Sequence, residues 1–188
     1  EQGHAVGLMT MDAGRLTYVA ARGGRPHLRS LLARVDRLGA SGTWDAVRVI
    51  DRAAQLLERR GIIVVISDFY DAEEDTRREM RRVTQRGHDV AMLQLISPNE
   101  RALPFGDHVE LEDAESSERR LVDATAVAMS YRAAMDAFLE RCRAHAQRDG
   151  VDYALMTTDT PPEVALRQYL LKRSHAQPVR GAPRAVRA

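Results

Sequence analysis

An α/β sandwich built on a mainly parallel sheet is the fold class this sequence predicts, on three observations. Strand-like apolar runs alternate with amphipathic helix-like segments along most of the chain. One run, 62–66 (IIVVI), is β-branched at every position. That run passes straight into Ser67-Asp68 and then into an acidic helix start. Alternating periodicities call for helices packed on a parallel sheet through right-handed crossovers, giving three layers. The unbroken apolarity of 62–66 predicts a strand covered on both faces, in the middle of that sheet.

The other elements follow in order. Residues 5–11 (AVGLMTM) and 15–21 (RLTYVAA) flank Asp12-Ala13-Gly14 and predict a strand pair across a tight turn. Pro26 suits a first helical position, and Leu28, Leu31, Leu32, Val35 and Leu38 recur at helical spacing until Gly39. A second helix is expected over about 44–60, with Val47, Ile50, Ala54 and Leu57 on one face and Gly61 as its stop. Asp71 and Glu74 match a capping box, so a helix follows the central strand and closes at Gly87. Its Arg77, Arg78, Arg81 and Arg82, with Glu73, Glu74 and Glu79, predict a solvated charged face.

Residues 89–96 (DVAMLQLI) read as the next strand. His108 to Glu112 and 119–122 flank the polar turn 114–118 and predict a small inserted β-hairpin. Asp123 is the expected N-cap of a long helix ending near Gly150, with Val127, Tyr131, Ala134, Phe138 and Cys142 on its apolar face. Residues 152–157 (DYALMT) form a further strand, and Thr160-Pro161-Pro162-Glu163 opens a last helix whose buried side is Val164, Leu166, Leu170 and Leu171. From Ser174 the composition turns to Pro, Ala and Arg, which predicts one domain over 1–173 and a disordered tail over 174–188.

Composition narrows the function. With 188 residues, 44% hydrophobic and 29% charged, the chain fills one core. Its 28 basic and 27 acidic residues leave a net charge of +1, so no field for nucleic acid is expected. The lone cysteine, Cys142, forms no internal disulfide, which fits a reducing compartment and a cytosolic setting. No run approaches a membrane span, and the start, Glu1-Gln2-Gly3-His4, reads as the middle of a longer protein.

Ligands of open α/β sheets bind at the carboxyl ends of the strands. Asp68 falls at such an end, where it serves as a ligand for a hard cation, as a phosphoryl acceptor, or as a cap of the next turn. Phosphotransfer wants partners that are missing: no second aspartate stands two residues on, and the only lysine, Lys172, is far along in the last helix. Thr43, in the loop Ser41-Gly42-Thr43, offers a hydroxyl that with Asp68 makes half a shell for Mg2+; its other reading is a plain helix N-cap. The six histidines never fall at metal-ligand spacing, and no P-loop or dinucleotide glycine pattern occurs.

The ordered segments GHAVGLMTMD, RGGRPHLRSLLARVDRL, SGTWDAVRVI, RRGIIVVISDFYD, RRVTQRGHDVAMLQLISPNERALPF, ERRLVDATAVAMSYRAAM and GVDYALMTTDTPPEVALRQYL resemble the domain-of-unknown-function 58 family. Its members are bacterial proteins with a von Willebrand factor A-like domain, often encoded beside MoxR-type AAA ATPases. The resemblance implies a metal-ion-dependent adhesion site made of an Asp-x-Ser-x-Ser loop, a Thr matched by Thr43 and an Asp matched by Asp68. This chain contains no Asp-x-Ser-x-Ser, so the expected metal site is partial and Mg2+ binding by the chain weak or nil.

In the family that loop and a first central strand lie upstream, beside 62–66, which implies an N-terminally truncated domain with an uncovered sheet edge. The implied function is a non-enzymatic interaction module working with a MoxR-type ATPase or its client, in the cytosol and tethered by N-terminal membrane segments of the intact protein. The alternative from another class is a Rossmann-like hydrolase or phosphotransferase using Asp68.

Overall fold

The computed structural model describes residues 4–12, 14–39, 45–70, 73–106, 108–112 and 119–176. Strands β1 (Val6–Asp12) and β2 (Arg15–Arg22) pair antiparallel, with Met11 opposite Leu16 and Asp12 opposite Arg15. Gly14 turns the chain between them at φ 73°, a left-handed conformation that glycine adopts without a Cβ penalty. Helix α1 (Arg25–Val35) has Pro26 in its first turn and ends at Val35, short of the expected Leu38 and Gly39; it buries Leu31 and leaves Leu28, Leu32 and Val35 exposed.

Helix α2 (Ala46–Gln55) starts later and stops earlier than its periodicity predicts. The Asp45 side chain accepts from the Arg48 N–H at 3.0 Å, which makes Asp45 the N-cap of α2. At the other end the Leu57 N–H turns back to the Ala54 carbonyl. A Cβ on Gly61 would meet the Leu57 methyl groups at 3.3 Å, so the chain turns tightly there into β3 (Ile62–Ser67).

β3, β4 (Asp89–Ile96) and β7 (Asp152–Thr157) form a parallel sheet in the order β3-β4-β7. The central strand is therefore β4, whose Val90, Ala91, Met92 and Leu93 are all buried. The expectation that 62–66 is central and covered on both faces is corrected. Ile63 and Val65 are buried, whereas Ile62, Val64 and Ile66 are 56%, 50% and 59% exposed. The cause is one-sided packing of β3: α2, α3 (Glu73–Gln85) and α5 (Ala124–Asp149) cover the face where Ile63, Val65, Val90 and Met92 join Ile50, Ala54, Met80, Val83, Cys142 and Ala146 in one core. Among the described residues β3 pairs with β4 alone, so its other edge is open.

Helix α3 closes at Gly87 with φ 92°, and its predicted Asp71 cap lies outside the described residues. Its charged face is not wholly solvated. Glu79 is buried, with one carboxylate oxygen bonded to Arg82 and the other without a hydrogen-bond partner among the described residues, and Arg77 reaches Asp149 of α5 at 2.9 Å. A short helix, α4 (Pro98–Ala102), was not foreseen, although Ser97 and Glu100 form a full capping box around Pro98.

The hairpin is present as β5 (His108–Glu112) paired antiparallel with β6 (Arg119–Asp123); the polar turn 114–118 lies outside the described residues. Asp123 then caps α5, accepting from the Ala126 N–H, and Gly150 ends it at φ 71°. The buried stripe of α5 is Ala124, Met135, Leu139, Cys142 and Ala146, so Ala134 faces solvent, one position off the expected stripe.

Helix α6 (Pro162–Ala176) runs past Ser174, where the tail was expected to begin. Arg173 pairs with Asp152 at 2.8 Å and Asp89 at 3.5 Å, which anchors α6 beside the amino ends of β7 and β4. Val164, Leu166, Leu170 and Leu171, expected to be buried, are exposed, because nothing among the described residues packs over that side of the helix. No described helix is long and apolar enough to cross a membrane.

Candidate functional site

Because β3, β4 and β7 run parallel, their carboxyl ends share one rim. Three polar segments follow those ends: Ser67-Asp68 after β3, Ser97 and Glu100 of α4 after β4, and Thr157 with Thr160 after β7, whose hydroxyls meet at 3.0 Å. Asp68 thus stands where α/β sheets place their ligands.

The loop that carries it is tied at every residue. The Tyr70 N–H donates to Asp68 Oδ1 at 3.3 Å, Ser67 Oγ donates to the same oxygen at 3.3 Å, and the Phe69 N–H donates to Ser67 Oγ at 3.1 Å. From below, Gln94 Nε2 donates to the Asp68 carbonyl at 2.7 Å, and the Tyr153 hydroxyl donates to Gln94 Oε1 at 2.9 Å. Phe69 sits at φ 62°, a left-handed conformation a bulky residue seldom adopts, with its ring fully in the core. Tyr70 stacks on Phe138 with ring centroids 5.4 Å apart, and its hydroxyl points at Met135 Sδ at 3.9 Å. Burial, reinforced by the negative charge of Glu100, raises the Tyr70 pKa well above that of an ordinary phenol.

Of the two residues assigned to a metal, the structure describes one. Asp68 is on the rim; Thr43 lies among residues 40–44, outside the described residues. Among the described residues no three of His, Cys, Asp and Glu gather to hold a metal. Asp68 brings one carboxylate, which suits Mg2+ only as part of a shell, since this ion takes one or two carboxylates and keeps waters. Ser67, Gln94 and Tyr153 escaped the sequence reading. Gln94 had a visible signal, as the one uncharged polar side chain in the strand DVAMLQLI.

A second polar place lies between α3 and α5, a cavity of about 20 Å3 bordered by Phe69, Thr76, Arg77, Cys142, His145 and Asp149. It has room for about one water and none for a substrate. The Arg77–Asp149 ion pair lies on its border, and Arg77 also binds Glu74, two partners that hold its guanidinium pKa above the usual value.

Fold and rim together define a mixed α/β protein with a parallel sheet and a carboxylate loop at the carboxyl ends of its strands. The chain belongs to a family: the model described as "Protein of unknown function DUF58" matches residues 1–145. Uncharacterized protein Rv1480 of Mycobacterium tuberculosis (strain ATCC 25618 / H37Rv) is 32% identical over 117 residues, which cover 61% of this chain and 36% of that protein. Uncharacterized protein MAV169 of Mycobacterium avium is 32% identical over 108 residues, 56% of this chain and 63% of that protein. The chain therefore spans about a third of the first relative's length and under two thirds of the second's.

Two solved structures share the fold. The conserved hypothetical protein BatB from Bacteroides thetaiotaomicron superposes with a TM-score of 0.51 at 14% identity, over 91% of this chain and 80% of that one. An aerotolerance-related membrane protein from Bacteroides fragilis NCTC 9343 superposes with a TM-score of 0.52 at 15% identity, over 89% and 79%.

Proposed function

We propose that this chain is a non-enzymatic protein-interaction domain of von Willebrand factor A type, whose contact surface is the rim carrying Asp68. The observation that carries the reading is the Asp68 loop itself. A carboxylate stands just past a strand end while the Asp68 carbonyl and the Phe69 and Tyr70 N–H groups around it are hydrogen-bonded, as a recognition site needs its groups preorganised. Asp68, with Thr43 as the second ligand the resemblance assigns, would hold Mg2+ in the intact protein. A bound Mg2+ would supply an open coordination position for an acidic side chain of the partner. The partner we infer is a MoxR-type AAA ATPase or its client, met in the cytosol by a protein tethered to the membrane; the family match and the likeness to a membrane protein support this reading.

The test is binding of the intact protein that carries this chain to the purified MoxR-type ATPase of the same genome, with Mg2+ or with EDTA. Asp68→Asn keeps an oxygen for the Tyr70 N–H and removes the charge. It is expected to weaken Mg2+-dependent binding by about tenfold or more while the melting temperature stays put. Equal affinity for wild type and Asp68→Asn with and without Mg2+ would sink the reading. So would Asp68-dependent turnover of a phosphate ester, which is the mark of the hydrolase alternative.

A further inference from the structure

We propose that Gln94, steadied by Tyr153, is the positioning residue of the Asp68 loop, fixing the direction in which the carboxylate is presented; the claim rests on the reading of Asp68 as the contact residue. Gln94 is 0% exposed on the central strand, between Leu93 and Leu95. A buried primary amide is costly unless both ends are bonded, and here both are. Its Nε2 donates to the Asp68 carbonyl at 2.7 Å and its Oε1 accepts from the Tyr153 hydroxyl at 2.9 Å.

These two bonds cross the sheet from β7 through β4 to the loop after β3. They can do so because the register sets Gln94 opposite Ser67 on one side and beside Leu155 on the other, all on the helix-covered face. The anchored carbonyl belongs to the residue immediately before Phe69, the one whose left-handed backbone most needs an outside restraint. Burial pushes the Tyr153 hydroxyl up to about 12, so it remains a donor at neutral pH. A leucine would fill the same space without holding the loop.

The experiment uses the isotope-labelled chain 1–188 as wild type, Gln94→Met, Tyr153→Phe and Asp68→Asn, with amide hydrogen exchange and Mn2+ line broadening read residue by residue. In Gln94→Met the Phe69 and Tyr70 amides are expected to exchange about tenfold faster, while amides of 63–66 in the β3–β4 ladder keep their protection. Tyr153→Phe, which removes one oxygen and is the safer variant for folding, is expected to shift the same two amides in the same direction by less. Broadening by Mn2+ centred on 67–70 is expected to vanish in Asp68→Asn and to need about tenfold more Mn2+ in Gln94→Met. Unchanged exchange at Phe69 and Tyr70 in both Gln94→Met and Tyr153→Phe overturns the positioning role, whatever the metal does. No Mn2+ broadening in wild type removes the cation from the function proposed above, and the exchange result alone then decides the role of Gln94.

Discussion

Thr76 buries a hydroxyl that finds no partner among the described residues: the residue is 1% exposed and borders the small cavity between α3 and α5. An unsatisfied buried hydroxyl is destabilising, and valine has the same shape without it. Thr76→Val is therefore expected to raise stability by about 1 kcal/mol, read from urea denaturation. Tyr153 gives a prediction with a pH sign. Burial raises its folded pKa from 10.0 to about 12. The unfolded chain therefore loses this proton first, and stability present below pH 10 drains away between pH 10 and 12. Tyr153→Phe is expected to flatten that alkaline decline, measured as melting temperature against pH. Neither residue announces its role in the sequence, because Thr and Tyr are equally at home on a surface.

At the scale of elements, those with their own start and stop signals were legible. Helix α5 runs from Asp123 to Gly150 as its caps require, since an Asp accepting an N–H and a glycine at positive φ are local chemistry. The second end is testable. A Cβ on Gly150 would touch only Thr84 Cγ2 at an ordinary 3.6 Å, so Gly150→Ala is expected to cost about 1 kcal/mol, all of it backbone strain, in the same denaturation assay. The two elements misread at their limits have the opposite character. Helix α2 stops at Gln55 although Leu57 continues its apolar stripe, because Leu57 is needed in the core beside Gly61. Helix α6 carries a leucine-rich side that no described residue covers, and periodicity alone cannot tell an apolar side from a buried one.

For the whole molecule the consequence is an exposed apolar surface. Ile62, Val64 and Ile66 face outward on a strand whose far edge no described residue pairs, the arrangement that invites strand-to-strand association. Concentration-dependent self-association is expected in sedimentation experiments, and Val64→Lys should suppress it. Since Val64 is half exposed, that change is expected to alter stability by no more than about 0.5 kcal/mol. If Val64→Lys unfolds the chain instead, that face is covered in solution.

The α/β class, the two hairpins, the three parallel strands and the placement of Asp68 on the rim follow from the sequence by itself. Each depends on short-range spacing, local caps or the general rule that parallel strands end on a common edge. Tertiary structure alone decided that β4 and not β3 is central, that Glu79 is buried, and that Gln94 and Tyr153 reach under the Asp68 loop. Those outcomes depend on which strands become neighbours and in what register. A one-residue slip would turn Gln94 to the other face of the sheet, and no local pattern in DVAMLQLI or DYALMT specifies the pairing that brings their side chains together.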